Sequence, residues 1–135
     1  NAAVQDYPVN YFSFISMDDV FDFYTPVIAA NDDFIASKPE AVRAFLRAAR
    51  RGYEFAVSDP DASADILCTA VPELDSALAH RSAQFLAGQY QAEAPTWGII
   101  DGGRWARYYR WLNDNSLIER QIDVNAGWTM DYLER

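Results

Sequence analysis

The sequence predicts an incomplete α/β domain, rich in helix with about two short strands near its start, and three observations carry that prediction. Two brief apolar, β-prone runs lie early in the chain, VNYFSFIS from Val9 to Ser16 and VIAA from Val27 to Ala30. Helical segments with recognisable starts then follow to about residue 116. Two strands seldom make an independently stable sheet, so these runs require partners that the rest of the sequence does not offer. Either neighbouring polypeptide supplies them, or the chain packs as a helical unit whose apolar surface favours a homodimer.

The elements follow in order. Pro8 precedes the first run, which an acidic and aromatic link, Met17 to Tyr24 (MDDVFDFY), connects to Thr25-Pro26 and the second run. Asn31, Asp32 and Asp33 end that run and can cap a short turn carrying Phe34 and Ile35. Ser37 and Glu40 stand in capping-box spacing with Pro39 in the first turn. From there Val42, Phe45, Leu46, Ala49, Tyr53 and Ala56 mark one helical face, with Arg43, Arg47, Arg50 and Arg51 mostly off it. Asp59-Pro60 begins a shorter helix closed by Val71-Pro72. Asp75 can cap a third with a face of Leu78, Phe85, Leu86 and Tyr90, and Asp101 a fourth carrying Trp105, Tyr108, Tyr109 and Leu112. A last turn is expected from Thr129 to Leu133.

At 135 residues the chain is long enough for one domain that buries roughly 68% of the surface its unfolded form exposes. Half of it is apolar and 15% aromatic, unlike disordered sequence. A formal charge of −9, from 20 acidic and 11 basic residues, repels phosphate backbones and argues against a nucleic-acid partner. No apolar run reaches the roughly 18 residues of a membrane span. Asn1-Ala2 resembles a remnant of tag removal and Gln5-Asp6-Tyr7-Pro8 reads as the interior of a longer protein, so truncation is the expectation.

Catalytic and metal chemistry find little support. His80 is the single histidine, placed mid-helix with no nucleophile pattern beside it, and reads as a plain surface or half-buried side chain. Cys68 is the single cysteine and reads as a small buried apolar residue, so neither a disulfide within the chain nor a thiolate metal site is expected. Asp18, Asp19 and Asp22, or Asn31, Asp32 and Asp33, lack the glycine and terminal glutamate of a calcium loop, and Gly102-Gly103 lacks a phosphate-cradling frame. No cofactor is expected. The link from Asp18 to Pro26 remains, where carboxylates alternate with aromatic rings. A small heterocycle can stack on such rings while Asp and Tyr oxygens meet its edge.

At this link the sequence resembles a known family. The stretch FYTPVIAANDDFIASKPEAVRAFLRAARRGYEFAVSDPDASADIL is similar to bacterial solute-binding proteins of ABC importers for pyrimidine precursors of thiamin. Val71-Pro72-Glu73-Leu74, Trp97-Gly98, Trp105, Trp111-Leu112 and Thr129 to Leu133 fit the same pattern. The resemblance implies a two-lobed periplasmic-binding-protein fold of type 2, of which this chain is the C-terminal portion. Residues 1–26 would end the second lobe and form the hinge crossing, and residues 27–135 would be the helical part of the first lobe. Asp19 and Tyr24 match cleft-facing positions of the family, with Asp22 and Thr25 as weaker matches. A heterocyclic solute held by hinge closure, an ABC permease as partner, and an exported parent, periplasmic or lipid-anchored, are implied too. Pyrimidine synthases of the same superfamily use a histidine and a cysteine-rich motif, and neither pattern occurs here, so no enzyme is expected. The alternatives are the sensing domain of a signalling protein and a stand-alone helical interaction module.

Overall fold

A computed structural model describes Pro8 and residues 10–134. Among the described residues five α-helices are formed: α1 at Asp32–Ser37, α2 at Pro39–Ser58, α3 at Pro60–Ala70, α4 at Ser76–Ala87 and α5 at Gly102–Asp114. Two short 3-10 turns, Phe14–Ser16 and Asp19–Phe21, precede them.

Local chemistry explains where the helices start. Asn31 accepts from the backbone N–H groups of Asp33 and Phe34, Asp59 from that of Ala62, Asp75 from that of Leu78 and Asp101 from that of Arg104. Each side chain satisfies donors that a helix start leaves without a partner, typically worth about 1 kcal/mol. Pro60 adds a preset φ in the first turn of α3. The expected capping box of α2 does not form. Ser37 is the last residue of α1, and its hydroxyl donates back to the Asp33 carbonyl at 2.6 Å. Thr129 to Leu133 makes the expected turn, with the Asp131 N–H donating to the Thr129 hydroxyl at 3.1 Å.

The two expected strands are absent among the described residues. Val9 lies outside them; residues 10–13 are irregular, and Phe14–Ser16 closes a turn in which Ser16 donates to the Ser13 carbonyl through both its N–H and its hydroxyl. Val27 to Ala30 is irregular and exposed, with Val27 52% and Ile28 51% accessible rather than buried. β-Propensity expresses itself only where an edge is present to receive the ladder, and no such edge exists among the described residues.

The chain divides into two compact units. Of the described residues, one comprises Pro8, Asn10, residues 40–99 and residues 133–134. In it α3 packs against α4, Tyr53 of α2 stacks on Trp97 at 4.8 Å and meets Tyr90 edge-on at 5.0 Å. Arg47 pairs with Glu134, whose carbonyl also accepts from Arg50 at 3.2 Å, so the basic side of α2 holds this end of the chain. The other unit comprises residues 11–39 and 100–132, and there the Asp19–Phe21 turn packs on α5.

Neither unit has a deep core. Val20, Ala64 and Ala106 are the buried apolar residues among those described, two of them alanines. The expected apolar face of α4 is largely open, with Phe85 71% accessible, and Phe45 of α2 is 58% accessible. Among the described residues no helix is long and apolar enough to cross a membrane.

Candidate functional site

The acidic, aromatic link of the second unit is organised by α5. Asp18 caps the turn Asp19–Phe21 by accepting from the Val20 N–H at 3.0 Å, which commits its carboxylate to backbone geometry. Val20 is then turned inward, at 7% exposure, and Phe21 and Phe23 point to the helix. Phe21 meets Trp111 edge-on at 5.5 Å and Phe23 stacks on Tyr108 at 4.2 Å with an interplanar angle of 18°. Rings three residues apart on α5 lie on one face, which is why Tyr108 and Trp111 receive rings two apart in the link.

Three of the four residues expected at the site are gathered on α5 by polar contacts. The Tyr24 hydroxyl accepts the Asp101 N–H at 2.8 Å, and the Tyr24 ring lies 4.9 Å from the Arg104 guanidinium, within cation–π range. Arg104 forms an ion pair with the Asp22 carboxylate and donates from Nε to the Asp22 carbonyl at 3.0 Å. Burial works against the charge of Arg104, but the hydrogen bond and charge of Asp22 outweigh it, with Tyr24 contributing, so its pKa is raised. One turn on, Arg107 donates from Nε to the Asp19 carbonyl at 3.2 Å and stands 3.7 Å from its carboxylate. Thr25 is exposed, followed by a cis peptide to Pro26.

Arg104 and Arg107 were absent from the sequence-based site. They stand three residues apart on α5, as Asp19 and Asp22 do on the link, but 82 to 88 residues separate the partners, so no local pattern in the sequence announces the pairing. The Asp22 side chain is only 28% exposed and is engaged by Arg104, whereas that of Asp19 is 76% exposed and keeps oxygen capacity for another donor. Tyr24 uses its oxygen as an acceptor, which leaves a phenolic proton to give. The ensemble is an aromatic, charge-anchored surface with one accessible carboxylate, that of Asp19.

The other candidates take structural roles. Asn31 is a helix cap, and Gly102 lies against Trp128, whose ring would be 3.1 Å from an added Cβ, so close packing accounts for that glycine. Cys68 is a free, half-buried thiol. His80 lies between two carboxylates of α3.

Comparison with known proteins agrees with the residue pattern. Residues 1–63 match the sequence model of the family described as NMT1/THI5 like. The chain is 28% identical over 122 residues to the riboflavin-binding protein RibY of Chloroflexus aurantiacus, covering 85% of this chain and 34% of that protein. It is 26% identical over 100 residues to the formylaminopyrimidine-binding protein of Halalkalibacterium halodurans, covering 71% of this chain and 30% of that protein. The chain thus spans about a third of the length of these relatives, both of them named as binding proteins. By its motifs and by these likenesses, the chain is similar to the NMT1/THI5-like proteins over residues 1–63 and to two solute-binding proteins over most of its length.

Proposed function

We propose that this chain is the C-terminal portion of the solute-binding component of an ABC importer, and that its solute is a flat heterocycle such as a thiamin pyrimidine precursor or a flavin. The observation that carries the reading is the likeness to two proteins named for binding such rings, extending over 85% and 71% of the chain. The chemistry of the link supports it: aromatic rings supply stacking area, and Asp19 and Tyr24 supply an acceptor and a donor at the edge. Asp22 and Thr25 border them, Asp22 chiefly positioning the wall through Arg104.

On this reading residues 1–26 close one lobe and cross the hinge, and residues 27–135 belong to the other. Binding energy drawn from both lobes favours the closed form, which docks on a permease, and no bond of the solute changes. The component works outside the cytoplasmic membrane, in the periplasm or on a lipid anchor. The exposed Phe12, Phe14, Val27 and Ile28 support a longer polypeptide whose further segments cover them.

Calorimetric titration tests the proposal. Riboflavin and formylaminopyrimidine are titrated into the 135-residue chain and into the longer polypeptide that carries it. We expect micromolar or tighter binding of one of them by the longer polypeptide, and weak or no binding by the chain alone, which holds one wall of the cleft. Absence of binding by the longer polypeptide, or equal affinity in both, contradicts the proposal.

A further inference from the structure

His80 is the one histidine of the chain. It sits in the middle of α4, and both of its ring nitrogens meet carboxylates from α3: Nδ1 lies 3.1 Å from Asp61 and Nε2 lies 3.1 Å from Asp65. Asp61 and Asp65 are four residues apart and so share one side of their helix. Ala64, 1% exposed, gives that side a small residue where a neighbouring helix can approach closely. Gln84, one turn beyond His80, donates to the same Asp61 oxygen at 2.9 Å.

A neutral imidazole has one N–H and one lone pair. It can donate to one of these carboxylates only, and it then presents its lone pair to the oxygen of the other. The imidazolium alone satisfies both. We infer that His80 is a proton-operated clasp between α3 and α4, closed when the ring carries both protons and loosened when one leaves, so that this helix pair responds to pH near neutrality.

The charged groups facing His80 are Asp61 and Asp65, and α3 is the helix that packs against α4 among the described residues. On its own helix Gln84 is neutral and Arg81 is the sequence neighbour. The Asp61 hydrogen bond does most to raise the His80 pKa above its ordinary 6.5; burial opposes this, and the Asp65 charge adds to it. In return the His80 hydrogen bond, then that of Gln84, lowers Asp61 below its ordinary 3.8. A raised histidine value means that the stabilisation is complete below pH 6.5 and is lost as pH rises through the folded value. A lowered aspartate value means that it is also lost in acid, as pH falls through the folded value of Asp61.

The test is an NMR titration of His80, unambiguous in a chain with one histidine, together with amide exchange in α3 and α4. We expect a midpoint above 6.5, lowered by Asp61→Asn and by Asp65→Asn. Protection in α4, corrected for intrinsic base catalysis, should fall about threefold or more between about pH 5.5 and 8.5. In His80→Gln it should stay level over that interval with the helices retained by circular dichroism. Asp65 is 74% exposed, so Asp65→Asn keeps the test open should Asp61→Asn unfold. A midpoint at or below 6.5, level protection in the unsubstituted chain, or the same fall in His80→Gln overturns the clasp.

Discussion

Replacing Arg104 by Met tests how the link is held. The substitution keeps most of the aliphatic stem while removing the guanidinium, and with it the ion pair to Asp22, the hydrogen bond to the Asp22 carbonyl at 3.0 Å and the cation held 4.9 Å over Tyr24. The side chains of Arg104 and Asp22 are 22% and 28% exposed, between a surface pair and a buried one. A surface pair contributes at most about 1 kcal/mol, and breaking a buried pair costs about 3–5 kcal/mol. A charged hydrogen bond adds about 1.5 kcal/mol and a partly exposed cation–π contact about 0.5–1 kcal/mol. With the pair itself at about 1–1.5 kcal/mol, these give an expected loss of about 3–4 kcal/mol for Arg104→Met. In a cycle with Asp22→Asn, the pair itself should show a coupling of about 1–1.5 kcal/mol. Urea unfolding followed by tryptophan emission is the assay, because Trp105, Trp111 and Trp128 all lie in this unit. A single-variant loss below about 0.5 kcal/mol, or coupling that vanishes within error, would refute the claim that Arg104 anchors the wall.

Three further outcomes are expected. Phe23→Ala removes the 4.2 Å stack on Tyr108 and should cost about 2 kcal/mol, with loss of near-ultraviolet dichroism from the α5 rings. Gly98→Ala places a Cβ 3.2 Å from Leu133 at a φ of +87°, so a loss of about 1–2 kcal/mol should appear in thermal or urea unfolding. Asp75→Ala deletes the acceptor for the Leu78 N–H and should cost about 1 kcal/mol, read as faster amide exchange in the first turn of α4.

The parts of the fold legible in sequence are those decided within a few residues. Asn31, Asp59, Asp75 and Asp101 each bond a backbone N–H two or three positions ahead, so residue type and spacing suffice to place four helix starts. Ser37 shows the limit, because the same hydroxyl has a competing acceptor in the preceding turn, at Asp33, and takes it. Residues 10–16 and 27–30 form no strand because a strand is a relation between segments, and a β-prone run without an edge among the described residues has nothing to pair with. Asp19, Asp22 and Tyr24 stand out in the sequence through the alternation of acids with rings and through family resemblance, and the structure gathers them on α5. Their fastening by Arg104 and Arg107 was not legible there, since pairing across more than 80 residues leaves no local periodicity. The reading of His80 as an ordinary side chain missed its two carboxylates for the same reason: Asp61 is 19 positions away on another helix.

The central claim is that the stretch from Asp19 to Thr25 faces a bound heterocycle. Amide chemical shifts of the longer polypeptide, followed as riboflavin or formylaminopyrimidine is added, measure it most directly. Shifts concentrated at Asp19 to Thr25 and at Asp101 to Arg104, with α3 and α4 little changed, are the predicted result. Saturable binding that leaves Asp19 and Tyr24 unmoved while other segments shift would contradict it.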